Sequence, residues 1–178
     1  MRDALRTEAI VRALYKLYVS RLRSEKPWLS DWELDLQIRH LLAMPDDPVP
    51  PGHMTGGAVD VILGDVDGVR VDLEVPAKQI PRRQQAPTDC PGLPAVIVAR
   101  RRALCSAMTS QGFHNYFKEY WHFSYGDGYW AVRRKSKVAI YGVAHAPINI
   151  DWTQHHDRRR LRHIASRSAS QTSVAANF

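Results

Sequence analysis

Proline forbids a continuous helix through the middle of this chain. Pro48, Pro50 and Pro51 run into Gly52, and Pro76, Pro81, Pro87, Pro91 and Pro94 follow. Each lacks a backbone N–H and clashes with the turn before it, so helices must lie on either side. Ahead of the region, Ile10, Leu14, Leu17 and Tyr18 recur at helical spacing. That predicts an amphipathic helix over residues 7–23, with Thr7 as its N-cap. Ser30 with Glu33 three residues on forms a capping box, opening a second helix that carries Trp32, Leu36, Leu41 and Leu42 and ends before Pro48. Beyond the prolines, a third helix is expected over residues 95–110, stopped by Gly112.

The remaining apolar runs are too short for anything but strands. Residues 58–63 read as one, with 69–75 as its antiparallel neighbour across the turn at 64–68. Residues 76–94 read as a long surface loop, and residues 119–125, 129–132 and 138–141 as further short strands. The expected fold class is α+β, an antiparallel sheet with helices packed on one side. Residues 1–148 make one domain in this reading, and residues 149–178 a basic, disordered tail.

Composition narrows the functional classes. Hydrophobic residues at 44% and charged residues at 24% belong to an ordinary globular chain with a core to bury. No apolar run approaches the roughly 20 residues of a membrane span, and no start resembles a secretory signal. The expected compartment is therefore the cytoplasm, or the periplasm if the N-terminus is incomplete. Two cysteines, Cys90 and Cys105, are too few for a disulfide framework. The net charge of +7 resides wholly in residues 133–178, where nine Lys and Arg face only Asp151 and Asp157. The balanced body gives no sign of a polyanionic partner. The tail, with Arg158, Arg159, Arg160 and Arg162 near His155, His156 and His163, leaves open an anionic or nucleic-acid contact beside the plainer reading of a solvated tail.

Two segments carry chemistry. In the first, His53 stands at the mouth of a loop and Asp60 lies inside an apolar strand, flanked by Val59 and Val61. An ionised carboxylate there is costly unless paired or bound to a metal. Gly56 and Gly57 let the backbone between them turn tightly. In the second, Glu119 and His122 lie three apart among aromatics. His53, Asp60 and His122 would make three N/O ligands for zinc with a fourth position open, and Glu119 would stand by as a general base. Spacing alone leaves a metal site and ordinary paired polar groups both open.

The two segments together resemble the D-alanyl-D-alanine dipeptidase family of zinc peptidases, relatives of the D,D-carboxypeptidases and of the Hedgehog domain. The first family signature, Ser-x-His-x-x-Gly-x-Ala-x-Asp, corresponds to residues 51–60, and the second, Glu-x-Trp-His-Phe, to residues 119–123. The likeness continues through Ser124, Tyr125, Gly126 and Asp127, the helix from Arg101 to Met108 with Gly112 and Phe113, and residues 139–142. It covers about residues 3–145. The resemblance implies a Hedgehog/D,D-peptidase-like fold and one zinc ion per chain, held by His53, Asp60 and His122. It further implies Glu119 as catalytic acid/base, Arg6 as an oxyanion-holding arginine, and Asp72 as the group that grips the substrate's amino terminus. The implied substrate is D-alanyl-D-alanine or another small cell-wall peptide. Alternatives are D,D- or L,D-carboxypeptidase activity and a non-catalytic zinc-binding relative. Departures from the family pattern are Pro51 for serine, Leu5 for tyrosine, Thr7 for proline and Glu74 for glycine, with little chain ahead of the arginine.

Overall fold

The computed structural model describes residues 3–145; the expected tail, with its basic cluster, lies outside them. Helix α1 (Glu8–Glu25) starts where Thr7 caps it by accepting from the Ile10 amide, and α2 (Asp31–Arg39) begins with the complete Ser30–Glu33 capping box. The buried stripe of α2 differs from the expected one. Of the expected residues Leu42 is buried, joined by Leu34 and Ile38, whereas Trp32, Leu36 and Leu41 are exposed. Positions 34, 38 and 42 repeat every four residues, so together they give a longer stripe to lay on α1 than 32 and 36 do. Val11 of α1 completes that core, with Met44 and Met54.

After the proline turn come a single helical turn, α3 (Gly52–Thr55), and strand β1 (Ala58–Asp60). The strand is shorter than expected, and its partner is not residues 69–75. Those residues fold back only as far as a Gly64–Arg70 bridge around a turn in which Asp65 Oδ1 accepts from the Asp67 and Val69 amides. Further on, the carbonyls of Asp72 and Leu73 are taken by the Arg100 and Arg101 guanidiniums, so no strand ladder forms there. Residues 76–94 form turns, as proline dictates, although Gln85 within them is fully buried and bonds both Val75 backbone groups and the Ile80 carbonyl.

Helix α4 (Ala95–Thr109) runs into Gly112, whose φ of 84° turns the chain out of the helix. Two strands follow, β2 (His114–Asn115) and β3 (His122–Ser124), and the antiparallel sheet has the order β1-β3-β2. The expected strand at 129–132 is instead a helix, α5 (Gly128–Arg133), because Asp127 Oδ1 caps the Trp130 amide at 2.8 Å. Residues 138–141 form no strand; the Ile140 and Tyr141 amides both bond the Gly126 carbonyl. The α+β class holds, with five helices and one small antiparallel sheet among the described residues.

Alternation along the strands divides the sheet. Val59 and Phe123 face each other across β1 and β3 and belong to a second core with Leu73, Leu104, Met108 and Tyr120. Asp60, His122 and Ser124 therefore point to the opposite face.

Candidate metal centre

Register makes the first contact. Asp60 pairs directly with His122 across β1 and β3, so a carboxylate and an imidazole from distant parts of the chain emerge side by side. The distance from His122 Nδ1 to Asp60 Oδ1 is 3.1 Å. Helix α3 supplies the third group. Gly56, at φ 73°, ends that turn in the left-handed region, and Gly57 next to it has no room for a side chain: a Cβ there would lie 2.6 Å from the Tyr125 carbonyl oxygen. The result brings His53 Nε2 to 3.3 Å from Asp60 Oδ1 and 3.2 Å from His122 Nδ1.

Those three edges suit a small cation. Donors about 2.0–2.1 Å from a tetrahedral zinc stand roughly 3.3 Å from one another. The chemistry of the donors points the same way. His53 Nδ1 lies 2.7 Å from the Ala4 carbonyl, which only accepts, so Nδ1 carries the proton and donates. In the neutral ring Nε2 is then a lone pair facing a carboxylate oxygen and a second ring nitrogen. Such a grouping is satisfied by a hydrogen on His122 Nδ1 or by a metal ion at its centre. An outer hydrogen bond that fixes a histidine's tautomer and aims its other nitrogen is usual for a metal ligand. His53 and Asp60 are buried and His122 is half-buried.

The N-terminal segment reaches this face as an extra edge. Asp3 and Asp60 exchange backbone hydrogen bonds, and the Arg6 amide donates to the His53 carbonyl at 2.9 Å. Arg6 thereby arrives with Nη2 3.7 Å from Asp60 Oδ2, while Nε and Nη2 both bond Asp3 Oδ2, at 3.0 and 2.7 Å. Burial works to raise the Asp60 carboxyl, but when the His122 and His53 rings are protonated their hydrogen bonds and charges outweigh it and hold the group well below the usual range.

Glu119 stands beside the cluster rather than in it, with Oε2 3.9 Å from His122 Nδ1. It sits in a tight turn: its amide bonds the Tyr116 carbonyl, and its own carbonyl accepts from the His122 amide. The Asn115 side chain braces that turn, donating to the carbonyls of Glu119 and His122. Burial pushes the Glu119 carboxyl above its ordinary range; the charge of His122 opposes this and that of Asp60 adds to it. Asp3, Arg6, His53, Asp60, Glu119 and His122 open on one cavity of about 430 Å³, which extends past Leu14 and Tyr18 of α1.

Of the six site residues expected from the sequence, five line this cavity. Asp72 does not: its side chain is exposed. The sequence reading missed three contributors. The Ala4 carbonyl is backbone and leaves no sequence signal. Asn115 could have been noticed only as a polar residue in an aromatic stretch, and Tyr116 as an aromatic three residues before the acid.

No protein-family model matches the chain. A D-alanyl-D-alanine dipeptidase from Synechocystis sp. is 33% identical over 123 residues, which cover 60% of this chain and 50% of that protein. The chain thus spans half the length of that relative. This similarity bears out the resemblance carried by the two motifs, and relates the chain to the D-alanyl-D-alanine dipeptidase family over the stretch the two proteins share.

Proposed function

We propose that the chain is a zinc-dependent peptidase that hydrolyses the D-alanyl-D-alanine dipeptide on a D,D-peptidase-like α+β frame. The observation that carries the reading is the convergence of His53 Nε2, Asp60 Oδ1 and His122 Nδ1 at 3.1 to 3.3 Å, with a carboxylate beside them. These three residues would hold the ion. When bound, zinc supplies Lewis-acid chemistry, polarising a carbonyl and making water a competent nucleophile near neutral pH. Glu119 takes the proton of the attacking water and hands it to the departing amine. A carboxyl raised by burial suits both halves of that exchange, because acceptance and donation are then more evenly balanced. Arg6, held in place by Asp3, presents its charge to the developing oxyanion from the Asp60 side.

The cavity supports a second reading. At about 430 Å³ it falls in the range that encloses drug-sized ligands and offers more room than a dipeptide fills. A D,D- or L,D-carboxypeptidase acting on longer cell-wall peptides would use that space. The deciding experiment measures zinc content of the purified chain together with D-alanine release from the free dipeptide and from a pentapeptide ending in D-Ala-D-Ala. Release from the dipeptide supports the first reading, and release from the pentapeptide alone the second. Stoichiometric zinc without either release would make the chain a non-catalytic zinc-binding relative.

A further inference from the structure

The oxyanion of the proposed hydrolysis has a donor on one flank only. Arg6 approaches from the Asp60 side, and two of its N–H groups are already committed to Asp3. On the other flank, beside His122 and Glu119, stands a residue with nothing yet to do. The ring of Tyr116 packs edge-on against those of His122 and Tyr129, with centroids 5.8 and 5.3 Å apart, and it lines the same cavity. Its backbone is fixed at both ends. The amide bonds the His122 carbonyl at 2.9 Å, and the carbonyl accepts from Glu119 at 2.8 Å. Tyr116, Glu119 and His122 are therefore three corners of one turn, and their side chains are presented as a unit.

The hydroxyl sets Tyr116 apart from its neighbours. Tyr129 donates to the Asn115 carbonyl and Tyr120 to Glu74, but the Tyr116 hydroxyl has no hydrogen-bond partner among the described residues. A half-buried phenol on a polar cavity wall is a donor awaiting an acceptor. In the proposed hydrolysis the oxygen of the attacked carbonyl, which becomes negative beside the acid that activates the water, would be such an acceptor.

We infer that Tyr116 is a further catalytic residue, whose O–H donates a hydrogen bond to the tetrahedral oxyanion from the flank opposite Arg6. The phenol keeps its proton throughout; it contributes a hydrogen bond, not a proton transfer. This inference rests on the hydrolase reading above.

The test is Tyr116→Phe in the full zinc-loaded chain, a change that keeps both ring contacts and removes only the unpartnered hydroxyl. Zinc stoichiometry and melting temperature should match wild type. With D-alanyl-D-alanine, kcat should fall by about 10²–10³, as for loss of an oxyanion donor elsewhere, with KM within about twofold. Affinity for a phosphinate analogue of the dipeptide, whose tetrahedral P–O⁻ stands for the oxyanion, should fall at least tenfold by calorimetry. Wild-type kcat and phosphinate affinity in the variant overturn the inference, as does a raised KM with unchanged kcat, which would place the hydroxyl on the ground-state peptide. A wild-type chain that neither cleaves the dipeptide nor binds the phosphinate overturns the hydrolase reading and this inference together.

Discussion

At the scale of single residues, the candidate site separates groups that hold from a group that acts. Glu119 lies 3.9 Å from His122 Nδ1, too far for a direct hydrogen bond, so its loss should spare the ion. Glu119→Gln is expected to retain wild-type zinc by metal analysis while kcat for the dipeptide drops by about 10²–10⁴. A variant that still turns over at wild-type rate would remove Glu119 from the reaction. His122→Ala should do the reverse and lose the ion on dialysis; full occupancy would undo the ligand assignment. The residues behind these predictions were legible in the sequence because a carboxylate in an apolar strand and a Glu-x-x-His among aromatics have few inexpensive explanations. The Ala4 carbonyl and the Tyr116 hydroxyl were not, since the first belongs to the backbone and the second is marked only by lacking a partner once the chain is folded.

Among elements, the junction between α3 and β1 is the most tightly specified. Gly57→Ala brings a Cβ within 2.6 Å of the Tyr125 backbone oxygen, so the chain must shift to admit it. A loss of about 1–3 kcal/mol in denaturant unfolding is expected, together with weakened metal binding as His53 is displaced. An unchanged unfolding midpoint would show that the junction can relax. The α1–α2 pair should show its own pH signature. The Tyr15 hydroxyl bonds Asp35 at 2.7 Å and, with Arg39, holds that carboxyl below its usual range. A depressed carboxyl contributes stability above its unfolded value of about 3.9 and loses it as pH falls further. Lowering the pH through that range should therefore reduce the melting temperature of wild type more than that of Asp35→Asn. Capping signals located both helices from sequence. The strands were less legible because two- and three-residue strands carry almost no periodicity, and what ended 69–75 as a strand was a pair of distant arginines.

For the molecule as a whole, the ion would add a tie between elements that strand pairing and a tight turn already bring together. Its three ligands come from α3, β1 and β3, and those elements border both cores: Met54 belongs to one, Val59 and Phe123 to the other. A ligand that binds only the folded state stabilises it by mass action, about 2.7 kcal/mol at a hundredfold excess over Kd. Chelation should lower the melting temperature and readded zinc should restore it in a concentration-dependent way. A melting curve indifferent to zinc would mean that the three side chains hold no ion.

The hydrogen bond from His53 to the carbonyl of Ala4 has a practical corollary. Every amino acid offers the same oxygen at that place, so replacing residue 4 with almost any other leaves the contact intact. A mutational scan that swaps side chains one at a time would therefore score the position as tolerant. Only lifting the strand, or replacing the amide linkage after residue 4 with an ester, whose carbonyl accepts more weakly, would reveal that the imidazole is steered from there.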